Sequence, residues 1–486
     1  MLRVKVKQDL FNWFGIILIM RIIEKIIRIE RFWLSALVFF FFSFGLQFLY
    51  LDSFFWDDWL RGDSRESLYS AWENNGITPG RSFLEFSVLR NSAALFHLTT
   101  MACFVVSAIA LRKILRSRLP LTVFQVNAIT LLFLLIPTNS ARVAIINFYS
   151  TFSYMLFFVA WSFLVSEKKY LSLLSGPIFW LSFGALQFMP FYVLPVLHFG
   201  YLLYRRSGGF DYRKAVALST AAVLPVLFWI VRSQTFGANV REYYVPNRLG
   251  IIRGGLFVSI ATLFLVYGIV RKKWNMSQNA RALLIGWGVL SLAFGSAAYM
   301  AGGHLVDISD WLISFVPNFS DWNSRHQLLQ PLGFALIAVG VLSGSSEETN
   351  KRVGLFGLSG LIVFSVLLNF TFSQEYYLDS LKQDQIVEQF SKIDALKTHS
   401  QVMISDDALR FNARGRSLRS YEWEAMLGKA NPDESGYFVE PLRYVSCDGF
   451  KPTLILTVVA INGRLESLIT RDLGIEIRVE EISPCN

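Results

Sequence analysis

Membrane-length apolar runs recur along most of this chain, and they constrain its fold more than any other feature. They span residues 32–51, 95–111, 121–137, 148–165, 171–188, 192–204, 215–231, 251–270, 282–300, 328–342 and 353–370. A run of roughly 20 apolar residues crosses the hydrocarbon core of a bilayer as a helix. The sequence therefore predicts an α-helical polytopic membrane protein with about 11 transmembrane helices. Only 17% of the 486 residues are charged, against 53% hydrophobic, and a soluble domain carries about 25% charge.

The net charge is +10, but its distribution does not suit nucleic acid. The cations gather at the ends of apolar runs: Arg112, Lys113, Arg116 and Arg118; Lys168 and Lys169; Arg205, Arg206, Arg213 and Lys214; Arg271, Lys272, Lys273 and Arg281; Lys351 and Arg352. These are alternate loops, the pattern of the positive-inside rule. Residues 1–31 carry Arg3, Lys5, Lys7, Arg21, Lys25, Arg28 and Arg31 among apolar residues. They read as an amphipathic segment on the cytoplasmic leaflet rather than a cleavable signal. The N-terminus is expected to be cytoplasmic. An odd number of spans then puts residues 372–486 outside.

That tail reads as a small extracytoplasmic α/β domain. Residues 379–396 have helical character, and 401–407, 453–461 and 475–482 are rich in β-branched residues, as strands are. Its Cys447 and Cys485 are candidates for a disulfide if the compartment is oxidising. Cys103 lies inside a span and reads as a packing residue. The expected domains are 1–31, a membrane bundle over 32–371 with its first outer loop at 52–94, and 372–486.

Unusual polar residues gather in the loops on the outer side. The first such loop opens with Trp56-Asp57-Asp58-Trp59. Neighbouring side chains point in different directions, so the two carboxylates are not expected to share one task. One suits a general base toward a hydroxyl, the other an orienting or metal-binding role. The competing reading is a helix cap, with Trp56 and Trp59 in an interfacial aromatic belt. The loop continues through Arg61, Asp63, Glu66 and Glu73 to the turn Thr78-Pro79-Gly80-Arg81. Arg81 is a candidate for contact with an acceptor or a lipid headgroup.

Further outer candidates are His97, Arg142, Arg241, Arg325 and His326. An arginine at the mouth of a span, facing the bundle, suits a lipid-linked phosphate through paired hydrogen bonds. His97 reads equally as a core histidine bonded to a neighbouring helix. His304, Asp307 and Asp310 form a weak candidate metal group together with Asp58, and a solvated loop accounts for them as well. No Walker, dinucleotide-binding or zinc motif is evident.

These features resemble the GT-C superfamily of membrane glycosyltransferases, above all bacterial enzymes that modify surface polysaccharides. The acidic pair Asp57-Asp58 follows the first span, a juxtamembrane loop and a multi-span bundle come next, and Ser324-Arg325-His326 opens a late span. The resemblance implies a sugar donor on polyprenyl phosphate, undecaprenyl phosphate in a bacterium, and a glycan or other surface acceptor. It implies that Asp57 or Asp58 deprotonates the acceptor and that Arg325, Arg241 and Arg142 stabilise the leaving phosphate. Some members use a divalent cation such as Mg or Mn. O-antigen polymerases and ligases also use lipid-linked glycans, but they lean on a large loop between late spans. A flippase or other transporter would carry ionisable residues inside its spans. A scaffold with an outer binding domain is a further alternative.

Overall fold

The computed structural model describes residues 32–59, 89, 92–117, 119–207, 212–236, 252–256, 258–260, 280–301, 321–343, 348–399, 401–432, 437–441 and 454–481. The chain is mostly helical, with a small sheet near its C-terminus. The helices are α1 (Phe32–Phe44), α2 (Ala93–Arg116), α3 (Val123–Leu135), α4 (Phe148–Leu164), α5 (Lys169–Ser182), α6 (Phe188–Phe191), α7 (Val193–Ser207), α8 (Tyr212–Phe236), α9 (Ala280–Ala301), α10 (Gln330–Leu342), α11 (Glu348–Phe390), α12 (Ser420–Ala430) and α13 (Arg464–Thr470). The strands are β1 (Gln401–Asp406), β2 (Phe438–Pro441), β3 (Leu454–Ala460) and β4 (Ile475–Glu481).

Among the described residues, 6 helices are long and apolar enough to cross a membrane: Phe32–Leu49, Ala93–Arg116, Ile145–Leu164, Ala215–Arg232, Ala280–Ala301 and Arg352–Phe390. Val123–Leu135, Phe188–Tyr204 and Gln330–Leu342 are apolar but shorter. The expected first span is an α-helix only to Phe44 and continues as a tighter 3-10 turn over Gly45–Leu49. Pro177 lies within α5, which ends at Ser182, short of the expected 188.

Local chemistry sets the helix ends. Ser92 accepts the Leu95 N–H at the start of α2, whose last turn carries Lys113 and Arg116, favourably placed for the helix dipole. Thr122 and Gln125 cap α3 reciprocally. Every residue of α3 from Gln125 onward is buried, so this evenly apolar helix runs through the centre of the bundle. The α9–α10 pair approaches closely at Gly333, where a Cβ would meet the Leu292 side chain at 2.5 Å and the Gly288 carbonyl at 2.8 Å. Small residues are what allow helices to pack at that range in an apolar solvent.

Beyond the bundle, the strands form one sheet in the order β2-β1-β3-β4, with β1 parallel to β2 and β3, and β4 antiparallel to β3. The three strands expected near 401–407, 453–461 and 475–482 are β1, β3 and β4. In β3 the buried positions Leu454, Leu456 and Val458 alternate with partly exposed ones, as on a pleated surface. They share a core with Val402, Ile404, Trp423, Met426, Ile386 and Phe390. The last two belong to α11, a helix of 43 residues. The expected boundary at 371/372 lies inside that helix.

Candidate functional site

One end of the bundle is organised around a tight turn at Phe55–Trp59. Asp58 N–H donates to the Phe55 carbonyl at 3.2 Å, and Phe55 N–H donates to Asp58 Oδ2 at 3.1 Å. Closing this turn places Trp56 at φ 53°, the left-handed region that a bulky residue rarely adopts. The strain is held by packing. The Trp56 ring lies against Tyr376 at 5.8 Å, and the Arg416 guanidinium sits 5.0 Å from its centroid.

The two adjacent aspartates have different surroundings. Asp58 is fully buried, and its oxygens also accept Ile145 N–H (2.8 Å) and Ile146 N–H (2.7 Å). Three backbone N–H groups therefore converge on this carboxylate. That arrangement pins the 55–59 turn to the 138–147 loop, and its donors face the oxygens that a metal ion would need. Asp57 is half-buried and accepts the Tyr421 hydroxyl at 2.5 Å. Burial, and then the bond to Asp57, push the Tyr421 phenol up, so Tyr421 stays protonated as the donor.

The 138–147 loop carries Arg142. The guanidinium lies 3.9 Å from the Phe44 ring centroid and 4.7 Å from that of Phe104, in the geometry of a cation–π contact. Burial pulls its pKa down to about 10, opposed by Tyr50, Tyr154 and Tyr376, which leaves it a cation at neutral pH. Arg142 and His97 line one small cavity together with Gln47, Thr100, Phe44 and Phe104. His97 is buried, with Nε2 at 3.2 Å from the Ser53 carbonyl. That contact assigns the proton to Nε2 and leaves Nδ1 as the acceptor.

Arg325 and His326 are held on the same loop from another direction. They lie in a 3-10 segment, Asp321–Gln327, that precedes α10. Ser324 Oγ accepts Ala141 N–H at 2.7 Å and bonds Ser140 Oγ at 3.0 Å. Arg325 is half-buried and acts electrostatically on Tyr299, and the His326 ring lies 5.2 Å from the Tyr299 ring. Arg81, Arg241, His304, Asp307, Cys447 and Cys485 lie outside the described residues. Among the described residues, no group of three His, Cys, Asp or Glu converges.

Several residues at this end were not singled out from the sequence. Trp59 Nε1 donates to Gln383 Oε1 at 2.9 Å, and Ser53 bonds Ser380, so α11 grips the 53–59 segment. Arg416 is buried, with Nη1 donating to Glu422 at 2.7 and 2.9 Å and Nε reaching Asp379 at 3.4 Å. Lys382 is also buried, donating to Asp406 at 2.6 Å, Asn412 at 2.7 Å and the Ala408 carbonyl at 3.2 Å. No local pattern announces such partners; Tyr421 and Asp57 are 364 positions apart. No family model, curated protein or solved structure matches the chain.

Proposed function

We propose that the chain is an inverting membrane glycosyltransferase of the GT-C type, with about 11 spans, acting at the outer face of a bacterial plasma membrane. Its N-terminus is cytoplasmic in this reading, and its C-terminal domain lies outside. The donor is a sugar on polyprenyl phosphate, and the acceptor is a hydroxyl of a surface glycan. One observation carries the reading: the Asp57 turn, the Arg142 loop and the Arg325 segment are joined by direct hydrogen bonds at one end of an apolar bundle. A base and two cations at one end of the bundle match what sugar transfer from a lipid phosphate requires.

In this mechanism Asp57 takes the acceptor proton, and Tyr421 orients its carboxylate. The acceptor oxygen attacks the anomeric carbon from the face opposite the phosphate, the carbon–oxygen bond to phosphate breaks, and the configuration inverts. Arg142 and Arg325 offset the charge on the departing polyprenyl phosphate, and His97 adds polar contact in the shared cavity. Asp58 fixes the turn and takes no proton. The test is sugar transfer from a polyprenyl-phosphate donor in membranes. Asp57→Asn is expected to lower transfer by about 100-fold or more, the scale of a lost general base, at normal expression. Unchanged transfer in that variant would remove Asp57 from the mechanism.

A further inference from the structure

The C-terminal sheet domain carries an apolar face that its own core does not use. In α13, Leu465 is 73% exposed and Ile469 76%, although both residue types are among those most often buried. Four positions apart, they lie on one flank of the helix. At about 100° per residue, the order round α13 is Ser467, Arg464, Leu468, Leu465, Ile469, Glu466, Thr470. Ser467 is buried, and Glu466 and Thr470 are exposed. The apolar pair therefore continues the side of the helix that Leu468 begins, and the polar pair closes the other side.

Leu468 shows which way that side faces. It bridges the core of the sheet and the cluster of Tyr50, Phe55, Trp56, Tyr376 and Tyr377 at the Asp57 end of the bundle. Tyr50 directly follows the membrane-length apolar stretch Phe32–Leu49, on which Phe41, Phe42, Phe48 and Leu49 are exposed. The apolar flank of α13 thus turns toward the bundle, at the point where the exposed apolar surface of that stretch ends.

The level of α13 follows from α11, against which it packs. Phe370 is the last exposed large apolar residue of α11, and from there to Tyr377 the helix rises about 10 Å at 1.5 Å per residue. The headgroup layer adds roughly 5–8 Å beyond the hydrocarbon core on each side. Side chains that hang from α13 toward the bundle enter that layer. Charge agrees with this placement. Arg464 and Arg471 are exposed at the two ends of α13. The neighbouring acids are turned onto backbone: Glu466 accepts the Gly463 N–H at 3.5 Å, and Asp472 accepts the Gly474 N–H at 2.8 Å.

We propose that α13 docks on an anionic lipid surface, with Leu465 and Ile469 in the headgroup layer and Arg464 and Arg471 on lipid phosphates. Apolar area and cations act together in such interfacial helices, and α11 has already fixed the position of this one. The proposal rests on the membrane-length helices and not on sugar transfer.

The test is photo-cross-linking of the full chain in nanodiscs of mixed phosphatidylglycerol and phosphatidylcholine, read by mass spectrometry. Benzoylphenylalanine placed at Leu465 or at Ile469 is expected to give lipid adducts, and at Thr470, one step round the same helix, few or none. Phosphatidylglycerol adducts should exceed phosphatidylcholine adducts by about fivefold, the scale of one arginine near an anionic surface. Arg464→Gln with Arg471→Gln should remove that preference and leave adducts with both lipids. Equal yields at Leu465 and Thr470 overturn the proposal, as does an equal yield of the two lipids in the chain with both arginines. The same probes in whole membranes separate the other occupants: a cross-linked dimer, or an adduct with another protein in place of lipid, also overturns it.

Discussion

The two ends of the bundle are held together by different means. Around Asp57 the backbone is irregular, and bonds that join distant parts of the chain carry the structure: Asp58 to Ile145 and Ile146, Ala141 to Ser324, Ser53 to Ser380, Tyr421 to Asp57. Around His198, whose Nδ1 accepts the Trp161 indole N–H at 3.2 Å, the elements are helices whose backbone is satisfied internally, and leucines and indoles line the space between them. Non-helical backbone buried away from water must find partners elsewhere in the protein, whereas helices in an apolar solvent need only fit one another. The polar end is therefore the end whose shape depends on individual atoms.

That contrast can be broken at graded positions. The largest effect is expected at Arg416, where Arg416→Met strands Glu422 and Asp379 in the interior. Removing one partner of a buried pair costs about 3–5 kcal/mol, to be read from thermal unfolding in detergent. Adding Glu422→Leu to Arg416→Met should return part of that loss. Asp58→Asn comes next, since its amide replaces one of two oxygens that accept N–H groups. A loss of about 3 kcal/mol is expected from charge-assisted bonds of this kind, while Asp57→Asn leaves the unfolding temperature nearly unchanged. Equal destabilisation by the two would erase the distinction between them.

On the apolar side, Gly333→Ala drives a methyl into Leu292 and the Gly288 carbonyl, at a cost of about 1–3 kcal/mol from overpacking. Its effect should appear in unfolding rather than in transfer at an intact Asp57 end. The smallest effect belongs to Tyr421→Phe, which removes one partly buried hydrogen bond, worth about 1 kcal/mol or less of stability. Its signature should be a fall in transfer out of proportion to that small change.

Much of this arrangement was legible in the sequence where local pattern determines structure. Apolar length announced the long helices, and β-branched alternation announced β1, β3 and β4. The 371/372 boundary followed a change in composition, but residues 369–379 contain neither proline nor glycine, so nothing stops the helix there. Asp57 and Asp58 stood out as a pair. Their divergence did not, because it depends on N–H groups from Ile145 and Ile146 and on a tyrosine in a distant domain. His198 carried no signal at all: a lone histidine in an apolar helix gains meaning only when Trp161 fixes its tautomer.

The length of α11 has a mechanical consequence. Its 43 residues extend about 64 Å, twice the thickness of the hydrocarbon core. A single shaft therefore carries both membrane-length apolar sequence and Ser380, Lys382 and Gln383, which engage Ser53, Asp406 and Trp59. No hinge separates the two halves, so the C-terminal sheet is indexed to the bundle by helical phase. One residue inserted near Phe370 would turn everything beyond it by about 100° and carry Tyr421 away from Asp57. The fit of the cap over the rim is thus set by a residue count within one helix, and tilting that helix in a thinner or thicker bilayer would transmit directly to the carboxylate.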